Sequence, residues 1–146
     1  MPRLTAPIAL LLTTACGPSE VEDTEAPSPS SETALLGIGD SYFAWNAEEG
    51  LGIPDVVGDA LGVETYNLAT SGATVLGGAG EGPLVIPNQY TEAAWDWVVM
   101  DGGGNDLEGD CGCGACEDVL DDLLSADGHG AIADLVAYLN CLDGSE

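Results

Sequence analysis

Ser41, Gly72 and Asn105 are the residues of this chain whose types and spacing could do chemistry together. Each sits in a cluster of small residues that directly follows an apolar or β-prone run. Gly39-Asp40-Ser41 follows Ala34-Leu35-Leu36-Gly37-Ile38. Ser71-Gly72-Ala73-Thr74 follows the run that ends in Asn67-Leu68. Gly102-Gly103-Gly104-Asn105-Asp106 follows Trp97-Val98-Val99-Met100. A serine hydroxyl becomes a nucleophile once a base accepts its proton. A glycine N–H can be approached closely because no side chain shields it, and an asparagine amide is a second donor. A nucleophile with converging donors suits attack on an ester carbonyl, because the donors stabilise the charge that develops on the carbonyl oxygen.

These residues can meet only if the runs before them are parallel strands. Residues 34–39 form a short apolar run that reads as a buried parallel strand. Pro54 can start a helix and Gly62 can end it, with Val56, Val57, Ala60 and Leu61 on one face. Residues 63–68 read as a second strand and Trp97-Val98-Val99-Met100 as a third. Two helices follow. Over residues 117–126, Val119, Leu120, Leu123 and Leu124 oppose Asp118, Asp121 and Asp122, and acidic residues in the first turn complement the helix dipole. Over residues 131–139 the apolar stripe is Ile132, Leu135, Val136 and Leu139. Residues 77–94 read as irregular, with at most a short helix near 89–94. Alternation of this kind predicts an α/β fold: a three-layer, flavodoxin-like parallel sheet with flanking helices, in which ligands bind beyond the carboxyl ends of the strands.

Taken in order, the three clusters resemble the conserved blocks of the SGNH hydrolases, the GDSL esterase/lipase superfamily. Gly39-Asp40-Ser41 is similar to the first block, Asn67 with Ser71-Gly72-Ala73-Thr74 to the second, and Gly103-Gly104-Asn105-Asp106 to the third. The resemblance covers residues 34 to about 107. It implies that Ser41 is the nucleophile, with Gly72 and Asn105 as oxyanion donors beside the Ser41 N–H. It also implies a small-molecule, lipid or carbohydrate ester as substrate, with no cofactor and no metal. The family's fourth element, a C-terminal Asp-x-x-His that supplies the base, is not matched. The only histidine is His129, in Asp127-Gly128-His129-Gly130, at a turn between two expected helices. Residues 34–146 are therefore expected to be the N-terminal part of such a domain, truncated after about three strands, with the catalytic histidine segment absent. The competing expectation is a non-catalytic acidic lipoprotein that keeps the half-sheet as a binding or structural module.

Composition narrows the partners. Residues 1–15 read as an export signal: Arg3 supplies the positive charge, and residues 4–12 are an apolar stretch too short to span a bilayer. Thr13-Thr14-Ala15-Cys16 resembles a lipobox, which makes Cys16 the candidate lipidation site and places the protein in a bacterial cell envelope. An ordinary secretory signal is the alternative. Residues 16–33, rich in Pro, Ser, Thr and Glu, read as a flexible tether. Arg3 is the only Lys or Arg, against 26 Asp and Glu. Such a surface repels nucleic acid and anionic lipid, so membrane association is expected through the lipid anchor alone. The eight acidic residues between Asp106 and Asp127 read as a solvated face, with Ca²⁺ binding as the alternative. Asp40 reads as a residue that orients its turn. Cys111, Cys113, Cys116 and Cys141 form an even set that favours disulfides in an exported protein, while Cys111-x-Cys113-x-x-Cys116 also has the spacing of a soft-metal site.

Overall fold

The computed structural model describes residues 34–78, 80–111 and 116–142. The expected export signal, Cys16, the tether up to residue 33 and Cys113 lie outside the described residues. The elements are β1 (Ala34–Ile38), α1 (Ser41–Ala44), α2 (Ile53–Leu61), β2 (Glu64–Asn67), β3 (Trp97–Met100), α3 (Gly104–Cys111), α4 (Glu117–Leu124) and α5 (Ala131–Leu142). The three strands form one parallel sheet in the order β2-β1-β3, with Leu36 opposite Tyr66 on one side and Val98 on the other. The chain is thus mixed α/β, with a parallel sheet flanked by helices.

All five residues of β1 are buried, as expected of a central parallel strand covered on both faces. Leu36 and Ile38 point into a core with Ala73, Val75, Ile86, Leu123 of α4 and Leu135 of α5. Full burial of side chains of this size is worth about 1.5–3 kcal/mol each, so this cluster is a main source of the sheet's stability. The opposite face of β1 meets α2. A Cβ built on Gly37 would lie 2.6 Å from Pro54 Cγ, so strand and helix approach as closely as a bare backbone permits.

Helix α2 begins with Pro54 in its first turn and ends on Gly62 in the left-handed region, as its sequence predicts. Its buried face differs from expectation. Pro54 and Gly58 face the sheet, whereas Val56, Val57, Ala60 and Leu61 are exposed. The reason is proximity: Gly58 lies directly against the Thr65 side chain of β2, leaving no room for a larger residue on that face.

Three further details depart from the sequence reading. Residues 77–94 carry two 3₁₀ turns, Gly82–Leu84 and Ile86–Gln89, each opened by a proline, rather than a helix near 89–94. Residues 104–111 form α3, which the glycine-rich start had concealed. In α4 only Leu123 is fully buried, while Leu120 and Leu124 remain largely exposed.

Cys111 and Cys116 form a disulfide across the α3–α4 connection, with Cα atoms 5.2 Å apart. Cys141 of α5 is also disulfide-bonded. Among the described residues no helix is long and apolar enough to cross a membrane.

Candidate functional site

The strand order places the site. The chain leaves β1 to form β2 on one side, then crosses to form β3 on the other. The carboxyl end of β1 is therefore where the connections diverge, the usual position of a ligand crevice in an open parallel sheet. Gly39-Asp40-Ser41 occupies that position.

Gln89 holds the turn from below. It is buried, and its side-chain amide pairs with both backbone groups of Gly39: Gly39 N–H donates to Gln89 Oε1 at 2.6 Å, and Gln89 Nε2 donates to the Gly39 carbonyl at 2.9 Å. Gln89 Nε2 also donates to the Pro83 carbonyl at 2.8 Å. Glycine is required at position 39 because a Cβ there would collide with Asp101 Oδ1 and lie 3.1 Å from the Asp101 carbonyl. Gln89→Ala would leave several buried polar groups unpaired, at roughly 1–3 kcal/mol for each group left without a partner. We expect this substitution to lower the urea midpoint by the equivalent of about 3 kcal/mol, by the same reasoning. A variant as stable as the parent would show that the clamp is not needed.

Asp40 is the N-cap of α1. It is buried, and its Oδ1 accepts from the Tyr42 N–H at 3.0 Å. This satisfies one of the helix's free N–H groups, a role suited to aspartate, and agrees with the reading of Asp40 as an orienting residue. Ser41 is the first residue of α1 and is partly exposed. Its hydroxyl and its backbone N–H form no hydrogen bond with the described residues.

The second cluster is tied to the first. Thr70 N–H donates to the Gly39 carbonyl at 3.0 Å, and Ala73 N–H closes a turn onto the Thr70 carbonyl at 3.1 Å. Gly72 is the third residue of that turn, with φ +83°, a conformation that glycine adopts without strain. Nothing lies within 4 Å of where its Cβ would stand, so the surrounding space is open. Asn67, just upstream, is a latch: its Nδ2 donates to the Phe43 carbonyl at 2.8 Å and to Asp55 Oδ2 at 3.1 Å.

The third cluster closes the arrangement. Asn105 Nδ2 donates to the Ala73 carbonyl at 2.8 Å, which fixes the amide's orientation, and makes a longer contact of 3.4 Å with Asp40 Oδ2. The longer contact is weak and leaves one amide hydrogen exchangeable. Asp101 Oδ1 accepts from the Asp40 N–H at 3.0 Å. Asp106 corrects the expectation of a fully solvated acidic face. It is buried, and its two oxygens accept from Val75 N–H at 2.9 Å and Leu76 N–H at 2.8 Å.

Asp40, Ser41, Tyr42, Trp45, Asn105 and Glu108 line one cleft of about 360 Å³, together with Gly104. Ser41 and Asn105 thus share a cavity. Gly72 is not part of its lining, although its turn is bonded to residues on both sides of it. His129 does not line the cleft; it sits in the α4–α5 turn, where its N–H and carbonyl bond Ser125. A separate cleft of about 440 Å³ runs along β3, between Trp97 and Leu139. It shares no lining residue with the first. Among the described residues no group of three or more His, Cys, Asp and Glu is gathered as a metal site.

Burial, with the Asp40 carboxylate beside it, pushes the Asp101 carboxyl up to about 6 from an ordinary 3.8. The unfolded chain releases this proton near 3.8 and the folded chain near 6. The folded state therefore binds more protons between these values, and the stabilisation present below the lower value is lost as pH rises through the upper one. Asp101→Asn removes that dependence while keeping an acceptor for the Asp40 N–H. Relative to the parent, the variant is expected to gain stability from about pH 4 to about pH 6 and to show a constant difference above that. Thermal midpoints of both proteins across this range check it; a pH-independent difference would contradict it.

Gln89 and the buried role of Asp106 are the site-supporting features that the sequence reading missed. Comparison with protein-family models, curated proteins and solved structures finds no match to this chain.

Proposed function

We propose that the chain carries the nucleophile half of an SGNH-type ester hydrolase site, on a sheet of flavodoxin-like topology. One observation carries the reading: the three clusters and the residues that lead into them are hydrogen-bonded together at the carboxyl end of β1, through Thr70 to Gly39, Asn105 to Ala73 and Asp40 to Asp101. In the proposed reaction Ser41 Oγ bonds to the ester carbonyl carbon and its proton passes to a base. The Asn105 amide and the Ser41 N–H hold the oxyanion, and the family resemblance adds the Gly72 N–H, whose turn adjoins the cleft without lining it. The carbon–oxygen bond to the alcohol then breaks, and the alcohol leaves with that proton. Water releases the acid from acyl-Ser41. His129 does not line the cleft, so this reading takes the base from outside the described residues. Export and lipid anchoring through Cys16 belong to the same reading and rest on the sequence of residues 1–16.

A second reading, a binding or structural module without catalysis, is favoured by the position of His129 and by the bond that ties Asn105 to Ala73. Hydrolysis of a short-chain aryl ester separates the two. The catalytic reading predicts slow turnover that Ser41→Ala abolishes and Asn105→Ala reduces. Turnover unchanged in Ser41→Ala would contradict it.

A further inference from the structure

We infer that the Ser41 cleft recognises a positively charged group, so that its preferred substrates are esters of cationic alcohols. This rests on the Ser41 reading and extends it to a substrate class.

Two aromatic side chains, Tyr42 and Trp45, stand beside Ser41 on the cleft wall, each 72% exposed. Two exposed rings side by side at the mouth of a cavity make a candidate ligand-binding surface. Aromatic faces attract cations through their quadrupole. Two carboxylates, Asp40 and Glu108, line the same cavity. Asp40 is held by neutral donors alone, the Tyr42 N–H and the Asn105 amide. The sole Lys or Arg of the chain is Arg3, outside the described residues, so no Lys or Arg among the described residues offsets either charge.

A neutral sugar ester would also stack on the rings and donate hydroxyls to the carboxylates, but it would gain no charge–charge attraction from them. An anionic ester would be repelled by them and by the formal net charge of −25. A cation is attracted by the rings through their quadrupole and by both carboxylates through charge, so it gains from the whole wall electrostatically. The carbonyl of its ester would lie toward Ser41 and Asn105, and the charged end toward Trp45 and Glu108.

Binding can be read without catalysis. In the Ser41→Ala chain, choline and its uncharged isostere 3,3-dimethylbutanol are titrated by ligand-observed NMR at low ionic strength. Choline is expected to bind at least about tenfold more tightly than the isostere, and added salt should erode the difference. Trp45→Ala and Glu108→Gln, both changes at exposed positions, should each weaken choline about 3- to 30-fold. In the parent chain acetylcholine should be hydrolysed in preference to 3,3-dimethylbutyl acetate. Equal binding of the charged and neutral probes, or choline binding unaffected by both substitutions, would overturn the inference. Choline binding without Ser41-dependent hydrolysis would support the cation site and overturn the nucleophile assignment instead.

Discussion

Imidazole is expected to raise the hydrolysis of a short-chain aryl ester by this chain about 10- to 100-fold, and to leave the Ser41→Ala chain at background. The expectation follows from what the cleft holds. Ser41 and Asn105 line one cavity, and Asn105 retains one weakly engaged amide hydrogen at 3.4 Å from Asp40. No histidine lines that cavity, and the Ser41 hydroxyl has no hydrogen-bonded base among the described residues. A positioned general base contributes roughly 10²–10⁴-fold. A diffusing base lacks the high effective concentration of a tethered one, so it restores only part of that factor. The comparison with Ser41→Ala removes imidazole's own reaction with the ester. Equal acceleration of both chains would mean that Ser41 is not being activated.

Asp106→Ala is the substitution expected to damage the fold most. It removes both acceptors of a buried carboxylate and strands the N–H groups of Val75 and Leu76. Hydrogen bonds to charged groups are worth about 1.5–3 kcal/mol each, so the loss should be on the order of 4 kcal/mol. That is a large share of the roughly 5–15 kcal/mol that holds a domain of this kind together. Asp106→Asn keeps one acceptor oxygen and should cost about half as much, by the same accounting of hydrogen bonds. Urea unfolding followed by tryptophan fluorescence measures both. A loss below about 1 kcal/mol for Asp106→Ala would place this carboxylate among ordinary surface groups, whose substitution usually has little effect. The site would feel the change as well, because Asp106 follows Asn105 directly and pins the segment that leaves the Gly72 turn.

The residues that could be read from sequence are those whose signals are local. The five apolar residues of β1 lie together, and Pro54 and Gly62 bracket α2. The three small-residue clusters announce strand ends by the runs before them. The features that escaped depend on distant partners. Gln89 meets Gly39 across 50 positions, and nothing in its neighbours Asn88 and Tyr90 marks it. Asp106 meets Val75 across 31 positions, and its acidic neighbours disguise it as one more solvated carboxylate. Helix α2 misled for a different reason. Its apolar stripe suggests a buried face, but close contact between helix and sheet selects small or compact residues, so Gly58 and Pro54 went inward and Val56, Val57 and Leu61 stayed outside. The cleft wall formed by Tyr42, Trp45 and Glu108 also depends on tertiary placement, since α1 and α3 are distant in sequence and meet at the Asn105–Asp40 contact.

The most direct test of the central claim, that Ser41 is a nucleophile served by converging donors, is covalent capture. The chain is treated with a fluorophosphonate in the presence of imidazole and the adduct is located by peptide mass spectrometry. One adduct on Ser41 is expected, formed more slowly in Asn105→Ala and absent in Ser41→Ala. An unlabelled Ser41, or labelling that survives in Ser41→Ala, would contradict the account.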